Sequence, residues 1–134
     1  AIASSLRGFQ RGESSEGGYL YGCAKQFAAE TGDAAYVEAI QLFIREEQRH
    51  ARDLAKILTM AGIPLLKKTS LDTVFRQLRR LGGLDISISV LITAEIIAKV
   101  YYKALREATG CPALRRLCDQ ILYDERAHVE FQAE

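Results

Sequence analysis

The chain has 134 residues, of which 49% are hydrophobic and 26% are charged, as is ordinary for one globular domain. Its 18 basic and 17 acidic side chains give a formal net charge of +1, which provides no electrostatic argument for binding nucleic acid or a membrane. Three cysteines without a Cys-x-x-Cys spacing argue against a disulfide framework and against a four-cysteine metal site. The N-terminal stretch shows no apolar signal segment. We therefore expect a single domain over residues 1–134, located in the cytoplasm.

Glycine and proline residues divide the sequence into four long helical segments and one short one. The long segments are predicted at residues 13–30, 34–60, 84–108 and 112–134. Asp33 is expected to cap the second long helix, and Ser70 a short helix that ends at Gly82-Gly83. Short 1–2 and 3–4 connections and a longer 2–3 connection are typical of a bundle with one crossover. The predicted fold is all-α: an antiparallel four-helix bundle with a short helix in the crossover between helices 2 and 3.

The third long segment is apolar around most of its circumference. The residues responsible are Ile86, Ile88, Val90, Leu91, Ile92, Ile96, Ile97, Val100 and Tyr101. The run is interrupted by the charged residues Asp85, Glu95 and Lys99, so we do not expect a transmembrane helix here. A helix that is apolar on most sides is buried on most sides, and a bundle this small cannot cover it alone. The sequence therefore predicts a homodimer.

Both histidines of the chain close the same short pattern of an acid, a glutamate, two spacers and a histidine. The pattern reads EEQRH at residues 46–50 and DERAH at residues 124–128. Residues three apart lie on the same face of a helix, and both pairs fall on the apolar stripe of their segment. The offset between the two patterns equals the offset between Thr31-Gly32 and Thr109-Gly110, which indicates a weak internal duplication. We expect both glutamate–histidine pairs to face the bundle interior.

Each of the other two long segments is expected to add one inward glutamate. On the third it is Glu95, and on the first we favour Glu16. The sequence separation of Glu16 from Glu47 exceeds that of Glu95 from Glu125 by a single position. A π-bulge would absorb this excess. Glu13, one turn earlier, remains the alternative.

Four buried carboxylates that face one another cannot all stay ionised without cations. Two divalent metal ions would balance four negative charges, and each neutral imidazole would add a nitrogen ligand. The predicted metal ligands are Glu16, Glu47, His50, Glu95, Glu125 and His128. Asp124 is expected to accept a hydrogen bond from the far nitrogen of His50, and Glu46 from that of His128. This set is typical of dinuclear carboxylate centres in helical bundles.

With these residues the sequence resembles the ferritin-like superfamily, and the rubrerythrin-like branch most of all. The resemblance covers essentially the whole chain and includes the spacing of Glu95 and Tyr102, whereas Cys23 stands where the matching tyrosine of the first half would be. It implies two iron ions, or manganese or a mixed pair, with Tyr102 near the site. Gln48 occupies the position of the haem-binding methionine of bacterioferritin, so no haem is implied. Because no rubredoxin-type cysteine module is present, electrons would come from a separate donor.

The function that this resemblance implies is a di-iron, or iron/manganese, oxidoreductase that reacts with O₂ or peroxide. Peroxidase or ferroxidase chemistry is favoured because no pocket for an organic substrate can be read from the sequence. Two alternatives remain open. One is a protein that binds iron or manganese without turnover, and the other is a metal-free helical dimer that serves as a scaffold.

Overall fold

The computed structural model describes residues 2–14, 17–67 and 83–133, and these residues form an all-helical bundle without β-strands. The five helices in the described parts of the chain are α1 (Ile2–Glu13), α2 (Gly18–Thr31), α3 (Ala34–Met60), α4 (Gly83–Ala108) and α5 (Pro112–Ala133). The predicted all-α class is confirmed. Among these helices, none combines the length and the apolar character that crossing a membrane requires.

Three of the four long helices begin and end close to where the sequence predicts. The carboxylate of Asp33 accepts a hydrogen bond of 3.1 Å from the backbone N–H of Tyr36, so Asp33 caps α3 as expected. Before it, Gly32 ends α2 in the left-handed region at φ 80°, which glycine adopts without steric cost. The predicted short helix after Ser70 lies outside the described residues.

The expectation of one unbroken first helix over residues 13–30 is wrong. The structure has two helices here, α1 and α2, and neither contains a π-bulge in its described residues. Gly17, which precedes α2, has φ 38°, and a Cβ atom there would lie 2.7 Å from the side chain of Ile44. A residue with a side chain would be strained at this position both by its backbone and by that contact. The glycine therefore lets the chain turn closely against α3.

The apolar side chains form two separate core clusters. The first core cluster joins α1, α3, α4 and α5 through Leu6, Leu54, Leu58, Ala98, Tyr102, Leu105, Leu114, Cys118 and Ile121. The second core cluster is built on Leu20, Ala24, Ile40 and Phe43, and Tyr36, Leu84, Ile88 and Phe131 pack against it. Along α3, α4 and α5, the predicted ligands fall in sequence between residues of the two clusters. The bundle thus has a polar layer between two apolar ones.

Candidate metal centre

Two overlapping groups of carboxylate and histidine side chains occupy this polar layer. The first group contains Glu13, Glu47, His50 and Glu125, and the second contains Glu47, Glu95, Glu125 and His128. Within each group, one ligand atom of each residue lies within 4.8 Å of those of the others. Glu47 and Glu125 belong to both groups. The described residues therefore offer two adjacent four-ligand clusters that share two carboxylates and could hold metal ions.

The inner nitrogen of His50 faces three carboxylates from three helices. Its Nδ1 lies 3.4 Å from Glu47 Oε1, one turn earlier on α3, because a three-residue spacing puts both side chains on one face. It also lies 3.7 Å from Glu125 Oε1 on α5 and 3.9 Å from Glu13 Oε2 at the end of α1. A cation among these four atoms would be coordinated from three helices.

The inner nitrogen of His128 has a matching environment. Its Nδ1 lies 3.5 Å from Glu47 Oε1, 3.6 Å from Glu125 Oε2 and 3.7 Å from Glu95 Oε2. Glu125 thus presents one oxygen to each imidazole, and Glu47 Oε1 lies near both. The two clusters therefore share the carboxylates of Glu47 and Glu125.

Most of the inward-facing ligand atoms are buried and lack a hydrogen-bond partner among the described residues. These atoms are Glu47 Oε1, His50 Nδ1, Glu95 Oε2, Glu125 Oε1, Glu125 Oε2 and His128 Nδ1. Buried polar atoms are almost always paired, because an unpaired one loses its hydration without compensation. Six such atoms that face one another are suited to share a positive partner. The residues present therefore fit divalent cations.

The outer nitrogen of His50 is held by a buried acid. His50 Nε2 lies 2.9 Å from Asp124 Oδ2, and the side chain of Asp124 is only 7% exposed. Arg49 forms an ion pair with the same oxygen, and Gln120 Nε2 donates to Oδ1 at 3.0 Å. These contacts fix the imidazole with Nδ1 toward the centre. Sequence reasoning missed Gln120, whose only signal is its position one turn before Asp124.

The outer nitrogen of His128 is held by a more exposed acid. His128 Nε2 lies 2.8 Å from Glu46 Oε2, and the side chain of Glu46 is 39% exposed. The ring of Phe43 packs edge-on against the imidazole at a centroid distance of 4.8 Å. The structure therefore brings together both acid–histidine pairs that the sequence suggests, but with different surroundings.

Crowding of the acids changes their protonation. Burial, and then the charge of Glu47, raise the pKa of Glu13 well above its usual value. Burial also raises the pKa of Glu47 to about 7. Burial lowers the pKa of His128, but its interactions with the carboxylates of Glu125 and Glu46 outweigh burial and bring the pKa to about 9. Protons and divalent cations therefore compete for the same groups.

Tyr102 touches the centre directly. Its hydroxyl donates a hydrogen bond of 2.8 Å to Glu13 Oε1, and its side chain is fully buried. Burial, and then the neighbouring carboxyl of Glu13, raise the pKa of Tyr102 well above its usual value, so it remains a neutral phenol. Tyr102 therefore orients one oxygen of Glu13 while the other faces His50.

The structure brings together five of the six predicted ligands, and Glu16 lies outside the described residues. Glu13, the alternative, occupies the position that the first segment was expected to supply. Its sequence separation from Glu47 exceeds that of Glu95 from Glu125 by four positions. This excess is about one helical turn, and the break between α1 and α2 accommodates it. Spacing alone favoured Glu16 because it assumed an unbroken helix.

Comparison of the chain with protein-family models, with curated proteins and with solved structures gives no match. The resemblance to ferritin-like and rubrerythrin-like proteins stays a prediction from the sequence motifs. What the structure shows is a helical bundle whose glutamate and histidine clusters could hold metal ions.

Proposed function

We propose that the protein is a dinuclear-metal oxidoreductase that binds two iron ions, or an iron/manganese pair, and reacts with O₂ or peroxide. The observation that carries this proposal is the set of six buried, unpartnered ligand atoms between the core clusters. When bound, two redox-active metal ions would supply electrons to a small oxidant. Peroxidase or ferroxidase activity is the outcome we favour.

Charge and ligand type support a pair of divalent ions. Four glutamates supply four negative charges, two divalent ions supply four positive ones, and each neutral histidine adds a nitrogen without charge. Carboxylate ligands suit manganese and ferrous iron, and imidazole suits iron, so the mixed set favours these metals over a thiolate-seeking ion. In this arrangement Glu47 and Glu125 would be available to both ions, while Glu13 and Glu95 would each be available to one.

Contacts at the two ends of the bundle support a ferritin-like arrangement of the helices. Each of three helices has one residue near the second core cluster and one in the first: Tyr36 and Leu58 on α3, Leu84 and Leu105 on α4, and Phe131 and Leu114 on α5. The order along the chain implies that α3 and α4 run in the same direction and α5 in the opposite one. The connection between α3 and α4 would then be the crossover.

The chain's own groups would handle protons at the centre. Tyr102 keeps its proton and holds Glu13 by a hydrogen bond. In the metal-free chain Glu47, with a pKa of about 7, can take up or release a proton near neutral pH, and its side chain is partly exposed beside the more exposed Glu46. This side of α3 is the route by which we expect protons and small oxidants to arrive.

Anaerobic titration with Fe(II) tests the proposal. We expect two ions per chain, followed by near-UV ferric absorbance on addition of O₂ or peroxide, and decay of that absorbance when a reductant is present. Glu125→Ala should abolish binding of at least one ion, since Glu125 belongs to both clusters. Glu130→Ala, an exposed glutamate of the same helix, is the matched control and should bind two. Unchanged stoichiometry in Glu125→Ala would contradict the ligand assignment.

The second candidate is a protein that sequesters iron or manganese without turnover. One observation favours it: the groove between α4 and α5, which is lined by Lys99, Val100, Lys103, Arg106, Glu107, Leu122 and Arg126, includes none of the clustered ligands. That groove is therefore separate from the clusters. Ferric absorbance that forms but persists with excess reductant would favour sequestration, and cycling would favour the enzyme together with a separate electron donor.

A further inference from the structure

The helix α4 has a second apolar face, opposite to the one that carries Glu95. Ile86, Ile97 and Val100 are 46%, 54% and 68% exposed, although they lie on the same helix as the fully buried Tyr102. Glu95 follows Ile86 by nine positions, which corresponds to two and a half turns and so to the opposite side of the axis. The metal centre therefore accounts for only one side of α4, and the other side is apolar toward solvent.

The outward face has the spacing of a coiled-coil seam. Its members, which we call the α4 seam, recur at alternating intervals of four and three positions: Ile86, Val90, Thr93, Ile97, Val100 and Ala104. This alternation is the heptad pattern by which two helices interlock side by side. A helix that only covered its own bundle would not need the pattern on its solvent side.

We propose that the α4 seam pairs with the α4 seam of a second copy of this chain, in antiparallel orientation. An antiparallel pair centred near Glu95 sets large residues against small ones, with Ile86 opposite Ala104 and Ile97 opposite Thr93. Val90 then meets Val100. The seam complements itself in size, as a two-fold interface requires.

Charged residues beside the α4 seam also favour a second copy of this chain in antiparallel orientation. Asp85 stands near the start of α4 and Lys103 near its end, five full helical turns apart, so both lie on the same flank. Antiparallel pairing brings each Asp85 toward the Lys103 of the other copy, whereas parallel pairing would leave these two residues about 27 Å apart along the axis. The members of the α4 seam carry no charge themselves, and the net charge of +1 adds little repulsion between copies.

The size of the α4 seam sets the expected strength of pairing. From Ile86 to Ala104 it is about 27 Å long at a rise of about 1.5 Å per residue. A single helix pair of this length lies at the small end of protein interfaces. We therefore expect a dimer that dissociates in the micromolar range.

Sedimentation equilibrium of the full, metal-loaded chain from 1 to 200 µM tests the pairing. The wild-type chain should shift from monomer to dimer, and Ile97→Glu and Val100→Lys should each weaken association at least 10-fold while melting and metal stoichiometry stay unchanged. Leu42→Glu, at an exposed apolar position of α3, is the matched control and should dimerise normally. A wild-type monomer at 200 µM, or dimers that persist in both seam variants, would overturn the proposal.

The orientation has its own measurement. A spin label at Ala104→Cys, with Cys23 and Cys111 replaced by serine, reports the distance between the two copies. Antiparallel pairing places the two labels about 27 Å apart along the axis. A distance of about 10 Å, the ordinary spacing of two packed helix axes, would mean parallel pairing and would reject the arrangement proposed here.

Discussion

The two halves of the candidate metal centre share a sequence pattern but differ in how the chain supports them. His50 is backed by Asp124, which is buried and also held by Arg49 and Gln120. His128 is backed by Glu46, which is partly exposed to solvent. The repeated pattern thus determines the inner ligands, whereas the rigidity behind each imidazole depends on neighbours that the pattern does not contain.

The helices that carry the remaining glutamates differ in the same way. Glu95 lies within the continuous helix α4, while Glu13 is the last residue of α1, just before the break that ends at Gly17. Tyr102, from the second half, donates its hydrogen bond across to Glu13 in the first. The side chain of Glu13, at the end of a helix beside a break, is therefore held by an additional hydrogen bond.

Substitution of the two glutamates that belong to a single cluster should distinguish the two halves of the site most strongly. Glu13→Gln and Glu95→Gln should each reduce Mn(II) stoichiometry from two ions to one, because each residue belongs to a single cluster. Metal analysis after equilibrium dialysis measures this, and Glu38→Gln, an exposed glutamate on α3, should keep two. If Glu13→Gln keeps two ions and Glu16→Gln keeps one, then Glu16 is the ligand of the first segment.

The acids behind the histidines should matter unequally. Asp124→Asn should weaken Mn(II) binding by about 10- to 100-fold, as is usual for loss of a partner that orients a ligand. Glu46→Gln should weaken it by less, since solvent can replace an exposed acid. Electron paramagnetic resonance titration of free Mn(II) gives both affinities. An equal or larger loss in Glu46→Gln would show that burial does not distinguish the two halves.

We expect the metal-free protein to become less stable as the pH rises, because its folded state loses protons. Glu47 has a folded pKa of about 7 against an ordinary 4.5, so the folded chain binds more protons than the unfolded chain between these values. His128, with a pKa of about 9 against 6.5, extends the same trend upward. The stability that these protons provide is therefore complete at pH values below both ordinary pKa values. It is lost as the pH rises through the folded pKa values of about 7 and about 9.

Thermal unfolding from pH 5 to 9 measures this loss. With chelator present, we expect the melting temperature to fall by on the order of 10 °C. With Mn(II) bound, the fall should shrink or reverse, because metal binding displaces the same protons. A melting temperature without chelator dependence at pH 8 would argue that the acids are not metal ligands.

Substitution of Gly17, at the break between α1 and α2, should have the smallest effect. Gly17→Ala introduces a Cβ at φ 38° and 2.7 Å from Ile44, so it should lower the free energy of unfolding by about 1–2 kcal/mol. Gly22→Ala, inside α2 with no atom within 4 Å of the new Cβ, should raise it by about 0.5–1 kcal/mol. Denaturant unfolding compares the two. Equal effects would mean that Gly17 is not required at the break.

Sequence periodicity predicted the parts of the molecule in which local and tertiary signals agree. The ends of α3 follow from Asp33 and Gly62, and the inward direction of Glu47 and His50 follows from their place on the apolar stripe. Both acid–histidine pairs could also be suggested, because antiparallel helices with the same pattern place each acid beside the other histidine.

The N-terminal part could not be predicted in the same way. Small and polar residues make the start of α1 resemble a loop, and its helix is stabilised by tertiary contacts such as the stacking of Phe9 on Tyr101, at 3.6 Å between ring centroids. Without α1, the spacing to Glu47 favoured Glu16 over Glu13. The periodicity of apolar residues also does not show how many residues lie in a helix break. Which glutamate of this segment faces the site therefore depends on the tertiary structure.

Anomalous scattering from crystals equilibrated with Mn(II) or Fe(II) would locate metal ions bound between the core clusters. We expect two neighbouring peaks between the core clusters, one bonded to His50 Nδ1 and the other to His128 Nδ1, with Glu47 and Glu125 in contact with both. Peaks confined to the protein surface, or no peak within the polar layer at saturating metal, would contradict this expectation.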